Sequence, residues 1–307
     1  MNSSQQERLA ALVSHPVKWN CPLEGYTSFS IGGPANAVVT VNRRDELSPL
    51  LDFFVNEEIG WRVIGRGTNL LVKDNGFSGV IVILGKEFRT IGTSPGQSHE
   101  HVRVKAGGGC SLGRLSLNCI DRGLTGLEFA SGIPGTVGGA VIMNAGAWGD
   151  ELSTRVENIT LVGVDGEQAV ARKDLEFGYR CWSNCSKFGD KSIVAEVDLL
   201  LRRDDPEKIR ERCRVFQEKR RKNQPKEHPN AGSFFKNPVN DSAGRLIEAS
   251  GLKGAKIGGA MVSEKHANFF VNHGDATAAD VIALMHSVQR KVKRDCGIDL
   301  EPEVHFI

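Results

Sequence analysis

Apolar and polar positions change period several times along the chain, and each change marks an element. Ala35–Val41 (ANAVVTV) reads as a strand, Arg44–Glu58 as an amphipathic helix and Trp61–Ile64 as a second strand. Gly65-Arg-Gly-Thr-Asn-Leu-Leu71 follows at once, and Val80–Leu84 supplies another strand. Turn chemistry in Thr93-Ser-Pro-Gly-Gln-Ser98 then predicts a boundary near Gly96. A second unit opens on the alternation His101-Val-Arg-Val-Lys105, passes three glycines, and enters a helix capped by Ser111 that stops at Gly123. Val156–Val164 and Ile193–Leu201 alternate as strands, so this unit also mixes sheet and helix.

Lys208–Lys226 carries nine basic and two acidic residues and reads as a charged helix running toward Pro225. Beyond it come a short helix (Ala243–Ser250), a strand (Ala267–Asn272) and a long helix (Thr277–Cys296). That long helix sets Val281, Met285, Val288 and Val292 on one face and stops at Gly297. Glu301–Ile307 resembles a final strand. The expected fold class is α+β, divided as 1–96, 97–203, 204–300 and a terminal strand 301–307. A chain of 307 residues is long enough for several domains of ~100 to 150 residues each.

Composition and charge narrow the function. The 39 basic and 37 acidic residues leave a net charge of +2, which gives no broad field for a polyanion or a membrane surface. Seven cysteines without C-x-x-C spacing fit neither a disulfide framework nor a zinc site, and a reduced cytosol suits them. The eight histidines form no metal-ligating set, so no metal is expected. The first twenty residues are polar, and no window approaches ~18 uninterrupted apolar residues. A cytoplasmic location is expected. The 35 glycines exceed the usual share of ~7% and are clustered rather than periodic, marking close backbone approach or sharp turns.

Two segments imitate a dinucleotide fingerprint, Gly65-Arg-Gly67-Thr-Asn-Leu70 and Gly107-Gly-Gly109-Cys-Ser-Leu112. Both carry leucine where the third glycine would allow close helix packing. The run Leu124–Gly149 differs in kind. Its glycines alternate with small and apolar residues and leave backbone N–H groups unshielded, as pyrophosphate or the polar edge of a flavin ring requires. A tight packing seam poor in side chains is the other reading of the same pattern. Asn230-Ala-Gly-Ser-Phe-Phe-Lys-Asn-Pro238 sets a serine, a lysine and an asparagine around two aromatics, a set suited to a phosphorylated, carboxylated substrate. It reads equally as a turn into a core strand. Glu303 alternates with Val304 and Phe306, which also fits the solvent face of an edge strand.

Taken in order, Ser28-Phe-Ser-Ile-Gly-Gly-Pro-Ala35, Gly65–Leu71, Leu124–Gly149, Gly178-Tyr-Arg180, Ala231–Pro238 and Pro302-Glu-Val304 resemble one family, from Tyr26 to Ile307. It is the UDP-N-acetylenolpyruvoylglucosamine reductases, or UDP-N-acetylmuramate dehydrogenases. The resemblance implies a monomeric flavoenzyme of peptidoglycan synthesis, with a two-part FAD-binding unit of the vanillyl-alcohol-oxidase type and a separate α+β substrate-binding domain. It implies non-covalent FAD, NADPH as the hydride-donating co-substrate, and reduction of an enolpyruvyl ether of a UDP-linked amino sugar.

By matching positions, Arg180, Ser233 and Glu303 are the implied catalytic residues, and Tyr179, Lys236 and Asn237 the implied substrate contacts. The implied cofactor contacts are Gly65, Arg66, Gly67, Thr68, Asn69, Leu70, Ser131, Gly132, Ile133, Pro134, Gly138, Gly139, Arg180 and Ile193. Some relatives carry an inserted loop whose tyrosine touches substrate. This chain has only Tyr26 and Tyr179, and neither lies between Arg180 and Ser233, so it resembles the shorter form. Arg220, Arg221 and Lys222 are then candidates for gripping the diphosphate. Two rival readings remain: another flavin oxidoreductase of this fold acting on a small alcohol or sugar, and a nucleic-acid-binding module using Lys208–Lys226. The near-neutral net charge and the scarcity of aromatics in that run weigh against the second.

Overall fold

The computed structural model describes residues 1–96, 98–188 and 192–307. Gln97, the first residue of the second expected subdomain, lies outside the described residues. Helix and sheet are mixed throughout, and the chain packs as two units that are discontinuous in sequence. The first comprises residues 1–19, 37–65 and 79–218, the second residues 20–36, 66–78 and 219–307.

In the first unit, Trp61–Val63 pairs in parallel with Val80–Val82 of strand Phe77–Leu84, whose other neighbour is Pro34–Val41. Helix Leu47–Asn56 buries Leu47, Leu50, Leu51, Phe53 and Phe54 in a core with Val39, Val41, Val80 and Val82. The helix expected over Arg44–Glu58 is shorter and begins as a 3-10 turn, Arg44–Glu46. At this start the buried Glu46 carboxylate accepts the N–H groups of Asn42 at 3.1 Å, Arg43 at 3.3 Å and Ser14 at 3.0 Å. A larger antiparallel sheet runs in the order Gly166–Ala171, Val156–Gly163, Ile193–Arg203, His101–Gly107, Ile91–Pro95. Helix Leu112–Asp121, capped by the Ser111 side chain, lays Leu112, Leu115 and Cys119 into the core with Val104, Ala106, Val197 and Leu199.

In the second unit a four-stranded antiparallel sheet has the order Asn230–Ser233, Phe269–Asn272, Ala260–Val262, Lys256–Ile257. Helix Ala278–Cys296 closes its core with Val281, Leu284, Met285, Val288 and Val292. The side chains of Thr277 and Asp280 form a reciprocal capping box at its start, and Gly297, at φ 75°, ends it in the left-handed conformation. Asp74 adds two acceptors, taking the N–H groups of Ala278 at 2.7 Å and Ala279 at 2.9 Å. The final strand is confined to His305–Phe306 rather than spanning 301–307, and it runs parallel to Leu70–Leu71. Glu303 therefore precedes the strand.

Candidate active site

The segments singled out by sequence fall into two groups, one in each unit. In the second unit, residues 66–71, 230–238 and 301–307 are joined by backbone hydrogen bonds. Ser233 ends strand Asn230–Ser233, whose register against Phe269–Asn272 shifts between Asn230 and Ser233. Gly232 sits at φ 79° in that shift, and its N–H donates to the Asn230 side chain at 3.0 Å. Such a bulge re-aims the following side chain, here the half-buried Ser233. Phe234 and Phe235 are fully buried, and the Asn268 amide clamps Phe235 by accepting its N–H at 2.9 Å and donating to its carbonyl at 2.8 Å.

Glu303 meets this strand through its N–H, which donates to the Phe234 carbonyl at 2.8 Å. Its own carbonyl accepts the Asn69 side-chain amide at 3.0 Å. Ser233 and Glu303 are thus held on adjoining backbone, with Asn69 of the glycine loop as a third member. Lys236 pairs with the exposed Glu301, and its N–H donates to the Glu301 carbonyl at 2.9 Å. Asn237 accepts the N–H of Ala243 at 3.1 Å. Gly67 stands at φ 60°, and a methyl group added there would overlap the Tyr26 carbonyl, which accounts for a glycine at that position.

In the first unit, Gly65 lies against Thr136, leaving no room for a side chain. The stretch from Ser131 to Gly139 alternates anchors with open backbone: Ser131, Val137 and Gly138 are buried, while Gly132, Pro134 and Gly139 are exposed. Ser131 accepts the Gln217 amide at 2.6 Å. Val137–Ile142 forms a short helix that the glycines conceal in the sequence, capped by the Thr136 hydroxyl. The N–H of Gly138 donates to the Gly108 carbonyl at 2.8 Å, and a side chain at 138 would crowd that same oxygen. At this position the glycine therefore serves the packing seam that the sequence also allowed. Ile193 is a buried strand residue paired with Val162. Arg66, Thr68 and Leu70 belong to the second unit.

Tyr179 and Arg180 form the two-residue tip of a hairpin in which Phe177 pairs with Trp182 and Gly178 with Cys181. Arg180 has φ 59°, and its guanidinium lies 5.0 Å from the centre of the exposed Tyr179 ring. The base of the hairpin is fixed by buried Asn184, which accepts from Trp182 Nε1 at 2.8 Å and from the N–H of Glu176 at 3.0 Å. Asn184, Asn268 and Asn144 were not distinguishable by sequence, because an isolated asparagine carries no spacing signal.

The charged helix Pro206–Asn223 spends several of its cations internally. Arg212 binds Glu128 and Asp204 at 2.8 Å each, and Arg214 binds Glu211 at 2.7 Å and Glu218 at 3.3 Å. Those pairs leave less of a free basic face for nucleic acid. Among the described residues no cluster of three or more His, Cys, Asp or Glu side chains is placed to hold a metal ion, and no helix is long and apolar enough to cross a membrane.

Comparison with known proteins bears on both groups. A model of the FAD binding domain matches residues 35–172, and one of the UDP-N-acetylenolpyruvoylglucosamine reductase C-terminal domain matches residues 224–307. The chain is 43% identical over 305 residues to UDP-N-acetylenolpyruvoylglucosamine reductase 2 of Symbiobacterium thermophilum, covering 98% of this chain and 96% of that one. It is 41% identical over 304 residues to the reductase of Geobacter sulfurreducens, covering 99% and 98%. The crystal structure of UDP-N-acetylenolpyruvylglucosamine reductase from Thermus caldophilus superposes with a TM-score of 0.78 at 35% identity, over 95% of this chain and 98% of that one. The expected family and the α+β fold class with an FAD-binding portion are borne out. The chain belongs to the UDP-N-acetylenolpyruvoylglucosamine reductase family and is an FAD-dependent oxidoreductase.

Proposed function

We propose that the protein reduces the enolpyruvyl ether of UDP-N-acetylglucosamine to UDP-N-acetylmuramate, with NADPH as co-substrate, as a cytoplasmic monomer serving peptidoglycan synthesis. The observation that carries this reading is likeness to named reductases along essentially the whole chain. Residues 1–96 and 97–203 are assigned as the two FAD-binding subdomains, 204–300 as the substrate-binding domain, and 301–307 as the segment bearing Glu303.

The residues present fit an FAD. Ser131–Gly139 offers open, side-chain-poor backbone at Gly132 and Gly139 beside apolar Ile133 and Pro134, which suits a flat ring with polar edges. Gly65, Arg66, Gly67, Thr68, Asn69, Leu70, Gly138 and Ile193 complete the assigned cofactor set, Gly138 as a packing position. When bound, FAD supplies the two-electron chemistry that links NADPH to the enolpyruvyl double bond.

A hydride added to the terminal vinyl carbon would push negative charge onto the substrate carboxylate as an enolate. A fixed guanidinium is suited to meet charge that develops there, and this is the role of Arg180. Ser233 gives its hydroxyl proton to the adjacent carbon, a transfer that requires the strongly basic enolate within hydrogen-bond reach. Glu303 assists Arg180 by hydrogen bonding at the same group or by orienting its neighbours. Tyr179, Lys236 and Asn237 hold the substrate, and Arg220, Arg221 and Lys222 provide positive charge for its diphosphate.

The test is turnover of purified, flavin-loaded protein with NADPH and the enolpyruvyl substrate, read by mass spectrometry of the product. The expected result is UDP-N-acetylmuramate, with flavin released on denaturation. Oxidation of a small alcohol or sugar without turnover of the enolpyruvyl ether would transfer the protein to the rival flavin-oxidoreductase reading.

A further inference from the structure

We infer that Asn144 is a positioning residue that holds the Tyr179-Arg180 tip in its working conformation, an inference that rests on the catalytic role proposed for Arg180. Asn144 lies in the glycine-rich run, just past the short helix Val137–Ile142, and is completely buried. Its side-chain amide donates to the Gly178 carbonyl at 3.0 Å, and its side-chain oxygen accepts the N–H of Ser153 at 3.1 Å. Both ends of the amide are therefore committed, one to the residue where the hairpin tip begins and one to the 3-10 turn Leu152–Thr154.

Two backbone features make this brace more than filler. Arg180 occupies the left-handed region at φ 59°, where glycine or asparagine is the ordinary choice and a long side chain is strained. Such strain persists only where the surroundings over-determine it, and it concentrates at functional positions. Asn144 is itself left-handed at φ 39°, a conformation that asparagine tolerates better than most residues. The hairpin has only two residue pairs of its own, so its ladder alone is too short to impose a strained tip. Asn184 secures its base and Asn144 secures the carbonyl immediately before its tip. Removing the Asn144 donor leaves that carbonyl short of its partner, and the tip is then free to relax toward an unstrained backbone with the guanidinium displaced.

The experiment uses three variants of the flavin-loaded enzyme. Asn144→Gly keeps the left-handed backbone and deletes both side-chain bonds. Asn144→Asp keeps an acceptor for Ser153 and replaces the amide donor to Gly178. Arg180→Ala removes the group being positioned. Stopped-flow absorbance reads flavin reduction by NADPH and reoxidation by the enolpyruvyl substrate separately, and hydrogen exchange reads residues 177–182.

The expected result is reduction within about twofold of the parent, reoxidation slowed by about tenfold or more, and faster exchange at 177–182, joined in Asn144→Gly by Ser153, whose N–H loses its acceptor. Asn144→Gly combined with Arg180→Ala should be no slower than Arg180→Ala alone. Equal slowing of both half-reactions, or losses that multiply in the double variant, would overturn the inference by showing that Asn144 acts through general stability. If Asn144→Gly fails to fold, Asn144→Asp decides, and an unchanged reoxidation rate there overturns it too. A parent-like reoxidation rate in Arg180→Ala would instead remove the catalytic reading beneath it.

Discussion

The side-chain amide of Asn69 donates to the backbone carbonyl of Glu303 at 3.0 Å, while the carbonyl of Asn69 accepts the N–H of His305 at 3.0 Å. One residue of the glycine loop thus grips the chain on both sides of buried Val304 and fixes where Glu303 stands. The ladder continues through Ile307, whose N–H donates to the Leu71 carbonyl at 3.1 Å and whose carbonyl accepts the Lys73 N–H at 2.8 Å.

Asn69→Ala is expected to cost about 1–2 kcal/mol of stability, the cost of leaving a partly buried carbonyl without its donor. Chemical denaturation of the flavin-free chain checks the energy, and reoxidation of the loaded enzyme checks the effect on Glu303. A variant as stable as the parent would mean that water replaces the amide without loss.

Ser233→Ala separates the two half-reactions. NADPH is expected to bleach the flavin at close to the parent rate, whereas substrate reoxidises it about 100-fold more slowly, in keeping with loss of a positioned proton donor. Equal loss in both halves would remove Ser233 from the proton-transfer step.

Glu128 predicts a pH dependence of stability. Burial acts to raise its pKa, but hydrogen bonds from Thr125, the Gly126 N–H and Arg212 outweigh it and hold the carboxyl below its ordinary value of 4.5. A depressed carboxylate contributes stability that is fully present above its unfolded pKa and is lost as pH falls through the folded one. Glu128→Gln should therefore be less stable than the parent at neutral pH, by about 1–2 kcal/mol given the partly exposed Arg212. The gap should narrow progressively below about pH 4.5. A gap independent of pH would show that the carboxylate charge is not what matters.

The cysteines should separate by accessibility. Burial pushes the Cys119 thiol up to about 12 and the Cys213 thiol up to about 11, so neither yields thiolate near neutrality. Cys185 is exposed. Mass spectrometry after brief alkylation of the native chain at pH 8 is expected to find Cys185 modified and Cys119 and Cys213 intact. Early labelling of Cys119 would place it outside the core.

What the sequence disclosed depended on how local the governing forces are. The helix Ala278–Cys296 was legible, since its apolar face lies within it and the glycine that ends it follows at once. Strand Ile193–Arg203 was legible for the same reason, as alternation over its length survives pairing on both sides. The helix Val137–Ile142 was not, because Gly138 and Gly139 are poor helix formers. What supports it is the Thr136 cap and the approach of Gly138 to the Gly108 carbonyl. The final strand looked longer than it is because alternation gives no sign that residues 301–303 meet Phe234–Lys236 in a lone bridge while His305–Phe306 ladders against Leu70–Leu71. At the site, the motifs around Arg180, Ser233 and Glu303 could be read from order and composition. The asparagines that brace them could not, because an isolated asparagine shows in sequence neither its burial nor the backbone groups its amide will meet.

The discontinuous second unit constrains the order in which this protein can be assembled. Its core joins Phe29, Ile31 and Leu71 to Phe234, Phe270 and Val304, so residues 20–36 and 66–78 leave the ribosome long before their packing partners exist. Until then those early segments must stay exposed or shielded by something else, and contacts so distant in sequence form slowly. By the same reasoning, an excised piece consisting of residues 224–307 would present an unfilled apolar surface where Phe29, Ile31 and Leu71 belong. Its failure to fold alone would say nothing against its being a recognisable family module.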